Sequence, residues 1–159
     1  MARLLQAMVL SWALAIGAAQ AQNATQYSSR GLSINDPAAF TQSVALSMSR
    51  DRMEPIRRTM QEMLGVGQLS ADLEVNITHM ERYLGDQAGT EVVKLEDVSL
   101  AGALRRIYYM NSYPNSFLFT RWDFTRGADG WVLTGITFGS SWNSVNANPV
   151  TPGWTVTRD

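Results

Sequence analysis

Phe117-Leu118-Phe119-Thr120-Arg121-Trp122-Asp123-Phe124-Thr125-Arg126, then Gly127-Ala128-Asp129-Gly130, then Trp131-Val132-Leu133-Thr134-Gly135-Ile136-Thr137-Phe138-Gly139 is the stretch that decides the fold. Aromatic and β-branched residues crowd both outer runs, the composition of a pleated, half-buried surface. The glycine-bounded turn between them is a hairpin signal. Residues 117–126 and 131–139 are therefore predicted to be antiparallel partners. Both faces of both strands carry apolar residues.

Upstream, Tyr113-Pro114-Asn115 marks another turn, and strand-favouring residues continue back to about Thr90. Leu100, Leu104, Ile107 and Tyr108 also fit a helix. Their aromatic surroundings, and their position before two clear strands, favour a strand over 104–112. With Val92, Val93 and Val98 ahead of it, this makes a meander of about four strands.

Before Thr90 the period changes from two to about 3.6. Asp36-Pro37 pairs a capping carboxylate with proline at the first helical position, and Phe40, Val44 and Met48 follow at spacing four. A second start lies near Asp51 to Pro55, with Ile56, Met60, Met63 and Leu64 as its core stripe and Gly65 as its stop. Ser70 is placed to cap a third helix, whose stripe is Leu73, Ile77, Met80 and Leu84, stopped by Gly85. Its opposite, polar face carries Asp72, Asn76, His79 and Tyr83. The fold class is therefore α+β, with three N-terminal helices packed on one face of a curved antiparallel sheet. The other face is expected to be concave and partly closed by Trp142 or Trp154.

At the N-terminus, Arg3 precedes an apolar run from Leu4 to Gly17, and Ala19-Gln20-Ala21 follows. That is the layout of a secretory signal peptide over 1–21, cleaved before Gln22, and the localisation it implies is secreted or periplasmic. The run is too short to span a bilayer, so no membrane span is expected after cleavage. Residues 22–35 read as a flexible polar leader, 36–141 as the α+β domain and 142–159 as an irregular tail. Removal of 1–21 leaves 138 of 159 residues, enough for one core.

Thirteen basic and 14 acidic residues give a net charge of −1, with no general attraction to nucleic acid or anionic lipid. Cysteine is absent, which excludes disulfides, thiolate catalysis and cysteine zinc sites. Twelve arginines stand against one lysine, and the doublets Arg57-Arg58 and Arg105-Arg106 have acidic neighbours that favour solvated surface. No cofactor motif is present: Gly65-Val66-Gly67 lacks the rest of any phosphate-loop fingerprint.

The runs Arg105-Arg106-Ile107-Tyr108-Tyr109, 117–124, Asp129-Gly130-Trp131-Val132-Leu133 and Ile136-Thr137-Phe138 resemble those of small exported bacterial proteins of unknown function. Their sheets resemble the cystatin-like fold of the nuclear-transport-factor and ketosteroid-isomerase superfamily. The likeness covers about 36–141, and its motif of aromatics around a glycine turn specifies fold, not chemistry. It implies sheet-to-sheet homodimers, and pockets in which an acidic base works beside a tyrosine.

Asp123, among Trp122, Phe119 and Phe124 and near Tyr108 and Tyr109, is the one acid–base candidate. The competing reading pairs Asp123 with an arginine on the face it shares with Arg121 and Thr125. His79 is the only histidine, with no second nitrogen or thiolate to complete a metal site. Met60 and Met63 have the spacing to offer two thioethers to Cu(I), but they also continue the stripe begun at Ile56. The leading expectation is a non-enzymatic exported module. It binds a small hydrophobic ligand or an envelope protein partner through Tyr109, Phe119, Trp122 and Trp131 on the concave sheet face. An isomerase or dehydratase using Asp123 with Tyr108 or Tyr109 is the first alternative, and a structural subunit of the envelope the second.

Overall fold

The computed structural model describes residues 31–146, and 154–157 as backbone. The expected signal peptide and residues 22–30 of the expected leader lie outside the described residues. In chain order the elements are β1 (Leu32–Ile34), α1 (Pro37–Asp51), α2 (Glu54–Leu64), α3 (Ala71–Leu84), β2 (Glu91–Leu100), β3 (Leu104–Tyr113), β4 (Ser116–Gly127), β5 (Gly130–Gly139), α4 (Trp142–Val145) and β6 (Trp154–Thr157). The strands form one antiparallel sheet in the order β1-β5-β4-β3-β2-β6. The fold is α+β, with helices packed against an antiparallel sheet.

The central four strands are the expected meander, and 104–112 is strand rather than helix. Two short edge strands and a fourth, one-turn helix enlarge the expected plan. β1 lies inside the stretch read as flexible leader, and α4 and β6 lie inside the tail read as irregular. Segments of three or four residues carry too few periods to be legible in a sequence. β1 forms because its alternation finds a partner: Leu32, Ser33 and Ile34 sit opposite Leu133, Val132 and Trp131, and Ile34 is buried.

The helix ends follow their local signals. The Asp36 carboxylate accepts from the amides of Ala38 and Ala39, and Pro37 opens α1. Gly65 closes α2 in the left-handed conformation at φ 66°. Ser70 is the N-cap of α3, but its hydroxyl makes no capping bond. Leu64, expected on the core stripe of α2, is exposed at the last residue of that helix, while Met63 before it packs on the core.

A β-bulge decides which side chains meet the helices. In the pairing of β4 with β5, Phe124 faces Leu133 and Asp123 faces Gly135, so Thr134 is the extra residue. Strict alternation would put Leu133 on one face and Ile136 and Phe138 on the other. The bulge brings all three, with Trp131, to the helix side. Leu118, Trp122 and Phe124 of β4, and Ile107, Tyr109 and Tyr113 of β3, complete that side of the core with Met48, Met53, Ile56 and Ile77 of the helical layer. Met60 belongs to this core and Met63 packs against it, as a continuation of the Ile56 stripe.

Trp122 is the largest fully buried side chain. Its ring meets Phe40 edge-on at 6.1 Å, and its indole N–H donates to the Thr120 hydroxyl at 3.1 Å. On the face away from the helices, Val98, Tyr108 and Val145 form a smaller buried cluster, with Leu95, Phe119 and Trp142 around it. Trp142 therefore closes that face in part, as its sequence position suggested.

Candidate functional site

The residues expected to form one ligand face are divided between two. Tyr109 and Trp122 point into the core beneath the helices and are buried, and Trp131 packs on the same side under the Arg126 guanidinium at 5.2 Å. Phe119 lies on the opposite face, its ring 6.5 Å from that of Trp142. The sequence offered aromatic content; the register sorts it.

The acid–base candidates are also separated. Asp123 and Tyr108 share the face away from the helices, and Tyr109 lies on the other. One Asp123 oxygen accepts from Arg106 Nε at 2.5 Å and the other from Arg121 Nε at 3.0 Å. Both oxygens are thus engaged by guanidinium groups. The Tyr108 phenol donates to Asn146 Oδ1 at 3.2 Å, and burial holds its pKa above the ordinary tyrosine value. Arg121 also donates to the Val145 carbonyl at 2.8 Å, fastening α4 to the sheet. This arrangement matches the ion-paired sheet residue that the alternating face suggested.

An open concavity lies elsewhere. Met60, Leu73, Met80, Ile136 and Phe138 line a groove of about 490 Å³ between α3 and the end of β5. Asn76, His79, Tyr83, Thr137 and Ser140 complete its wall. The groove follows from two local facts. α3 packs more closely on β4 than on β5, leaving space beside the last part of β5. The bulge at Thr134 then presents Ile136 and Phe138 to that gap, where neither is fully buried.

The groove runs beside a stretch of sheet edge that is unpaired among the described residues. β1 covers β5 only at Trp131, Val132 and Leu133. Among the described residues nothing pairs with the same edge over 134–139. That stretch, Thr134-Gly135-Ile136-Thr137-Phe138-Gly139, holds no charge and no proline. On the far side of the sheet, among the described residues, β6 covers β2 at 97–100, and the rest of that edge carries Glu91, Lys94 and Glu96. Natural sheets blunt open edges with such charges. The β2 edge has this protection and the β5 edge does not.

Sequence reasoning placed Asn76, His79 and Tyr83 on a solvated helix face, and assigned Leu73, Met80 and Met60 to buried stripes. The structure brings the border between those two sets to the groove. A tyrosine at Tyr83 on the otherwise polar face of that helix, beside Leu84 and three residues from Met80, was the available signal. Among the described residues no group of three acidic or histidine side chains is placed to hold a metal ion, and no helix is long and apolar enough to cross a membrane. The chain matches no protein-family model, and neither a curated protein nor a solved structure is found similar to it.

Proposed function

We propose that this protein is an exported, non-enzymatic binding module of cystatin-like architecture. Its occupant is an extended segment of a partner protein, added as a strand to the free edge of β5. The observation that carries this reading is the uncharged edge 134–139 lying beside an apolar groove. Strand addition couples two sources of affinity: main-chain hydrogen bonds along the edge, and alternate side chains entering a groove. Ile136 and Phe138 sit two residues apart on the groove side, the spacing at which an added strand presents its own side chains. Asn76, His79 and Tyr83 offer polar groups above them. The groove is open to solvent, which suits a segment laid across it better than a small ligand enclosed on most of its surface.

A fluorescein-labelled heptapeptide of alternating valine and threonine tests the reading by anisotropy. Saturable binding, weakened about tenfold or more by Phe138→Asp, is expected. Amide shifts in the 134–139 stretch on titration identify the edge. No saturable binding, or equal binding by the variant, removes the proposal. Saturable binding of anilinonaphthalene sulfonate in the groove without those edge shifts replaces the peptide with a small apolar ligand.

A further inference from the structure

We propose that the partner at the β5 edge is a second copy of this chain, its own β5 laid antiparallel on the first across a two-fold axis through Thr137. The proposal rests on the strand-addition reading and names its occupant. A two-fold contact needs a patch that complements itself, and an antiparallel pair sets residues of one face opposite residues of the same face. Gly135-Ile136-Thr137-Phe138-Gly139 meets both conditions. Turned end over end about Thr137, Gly135 meets Gly139, Ile136 meets Phe138, and Thr137 meets itself. Threonine pairs and aromatic–β-branched pairs are favourable cross-strand neighbours, and no charge is set against its like.

The stretch beyond β1 has the length this register needs. β1 covers β5 as far as Leu133, Thr134 is the bulged residue, and β5 ends at Gly139. Thr137 is the midpoint of the regular part, 135–139. A slip that centres the pair on Ile136 brings Gly139 against Leu133, where β1 of the other copy already lies. A slip that centres it on Phe138 carries Ile136 past Gly139, beyond the end of the strand. The register that matches like with like is therefore also the one that the strand ends permit.

The axis of such a pair stands perpendicular to the sheet, so the helical layers of both copies stay on one side. The two grooves, each lined by Ile136 and Phe138 and bordered by α3, then meet at the junction. Two six-stranded sheets become one, and the uncharged edge is closed against other chains. A free peptide and the second copy take the same edge, so apparent peptide affinity falls as the protein concentration rises.

The absence of cysteine makes the register readable by cross-linking. Thr137→Cys sets two sulfurs opposite each other across the axis, where Cα atoms about 4.5–5.5 Å apart suit a disulfide. Under mild oxidation this variant is expected to form a covalent dimer about tenfold or more faster than Ser140→Cys, which faces Thr134 of the other copy. Equal rates overturn the proposal. Sedimentation equilibrium tests the contact without a disulfide. The parent is expected to approach twice the monomer mass as concentration rises. Thr137→Lys sets like charges face to face and is expected to stay monomeric with an unchanged circular dichroism spectrum. A parent still monomeric at about 1 mM, or a dimer that Thr137→Lys leaves intact, overturns the proposal. A monomer that binds the heptapeptide with amide shifts in 134–139 discards the second copy and keeps the strand-addition reading. A monomer that binds no heptapeptide discards both.

Discussion

The Tyr113 phenol donates to the Met48 carbonyl at 2.7 Å, joining the end of β3 to the last turn of α1 in a buried bond. Asn111, two residues earlier on the same face, donates to the Ala45 carbonyl at 2.7 Å, one turn before Met48. The pair sets how far along the sheet α1 sits. Tyr113→Phe keeps the ring and leaves the Met48 carbonyl without this donor, so a loss of about 1–2 kcal/mol in urea unfolding at neutral pH is expected.

The same phenol gives the fold an alkaline limit. Burial pushes the Tyr113 pKa up to about 12, against about 10 in an unfolded chain. Below the unfolded value both states keep the proton and the full stability is present. Between the two values the unfolded chain releases the proton and the folded chain does not. Stability then falls with rising pH, by about 1.4 kcal/mol per unit, and levels off above the folded value. Urea titrations of the parent and Tyr113→Phe between pH 9 and 12 isolate this slope, which the variant lacks.

Asp123 is expected to matter for stability and not for occupancy of the groove. Asp123→Asn leaves Arg106 and Arg121, both largely shielded, without their shared carboxylate. A loss of about 1–2 kcal/mol follows, discounted from the cost of breaking a fully buried pair because the carboxylate is partly exposed. Heptapeptide affinity is expected to be unchanged. A large drop in affinity at retained stability would return Asp123 to the binding chemistry.

Trp122 is the largest test of the core. Trp122→Ala removes the ring that Phe40 packs against and strips the Thr120 hydroxyl of its indole donor. A loss of about 3–5 kcal/mol in chemical unfolding is expected. A value under about 1 kcal/mol would mean that the helical layer closes over the gap.

Arg57 joins two helices. It donates to Glu54 on its own helix at 2.7 Å and to Glu74 and Glu81 on α3 at 3.1 and 3.4 Å. Arg57→Met keeps most of the stem's packing and removes the charge shared by three carboxylates. About 1 kcal/mol of lost stability is expected at low salt, shrinking as salt is added. Urea midpoints at two ionic strengths measure it.

What the sequence determined by itself is local. The Gly127–Gly130 turn produced a hairpin, Asp36-Pro37 started a helix, and Gly65 and Gly85 stopped two others, because each signal acts through its own backbone angles and near-neighbour hydrogen bonds. The stripes of Ile56 and Met60 and of Ile77 and Leu84 were legible for the same reason, since the helix period is a property of the segment alone. Only the tertiary structure decided the bulge at Thr134, which reverses alternation within one strand so that Leu133, Ile136 and Phe138 share a core. It also decided that Tyr109 and Trp122 are buried beneath the helices while Phe119 faces the other way, and that β1 stops at Leu32 opposite Leu133. These outcomes depend on matching the apolar sets of separate segments against one helical layer. No window of sequence contains that match, and the groove is the space it leaves beside the end of β5.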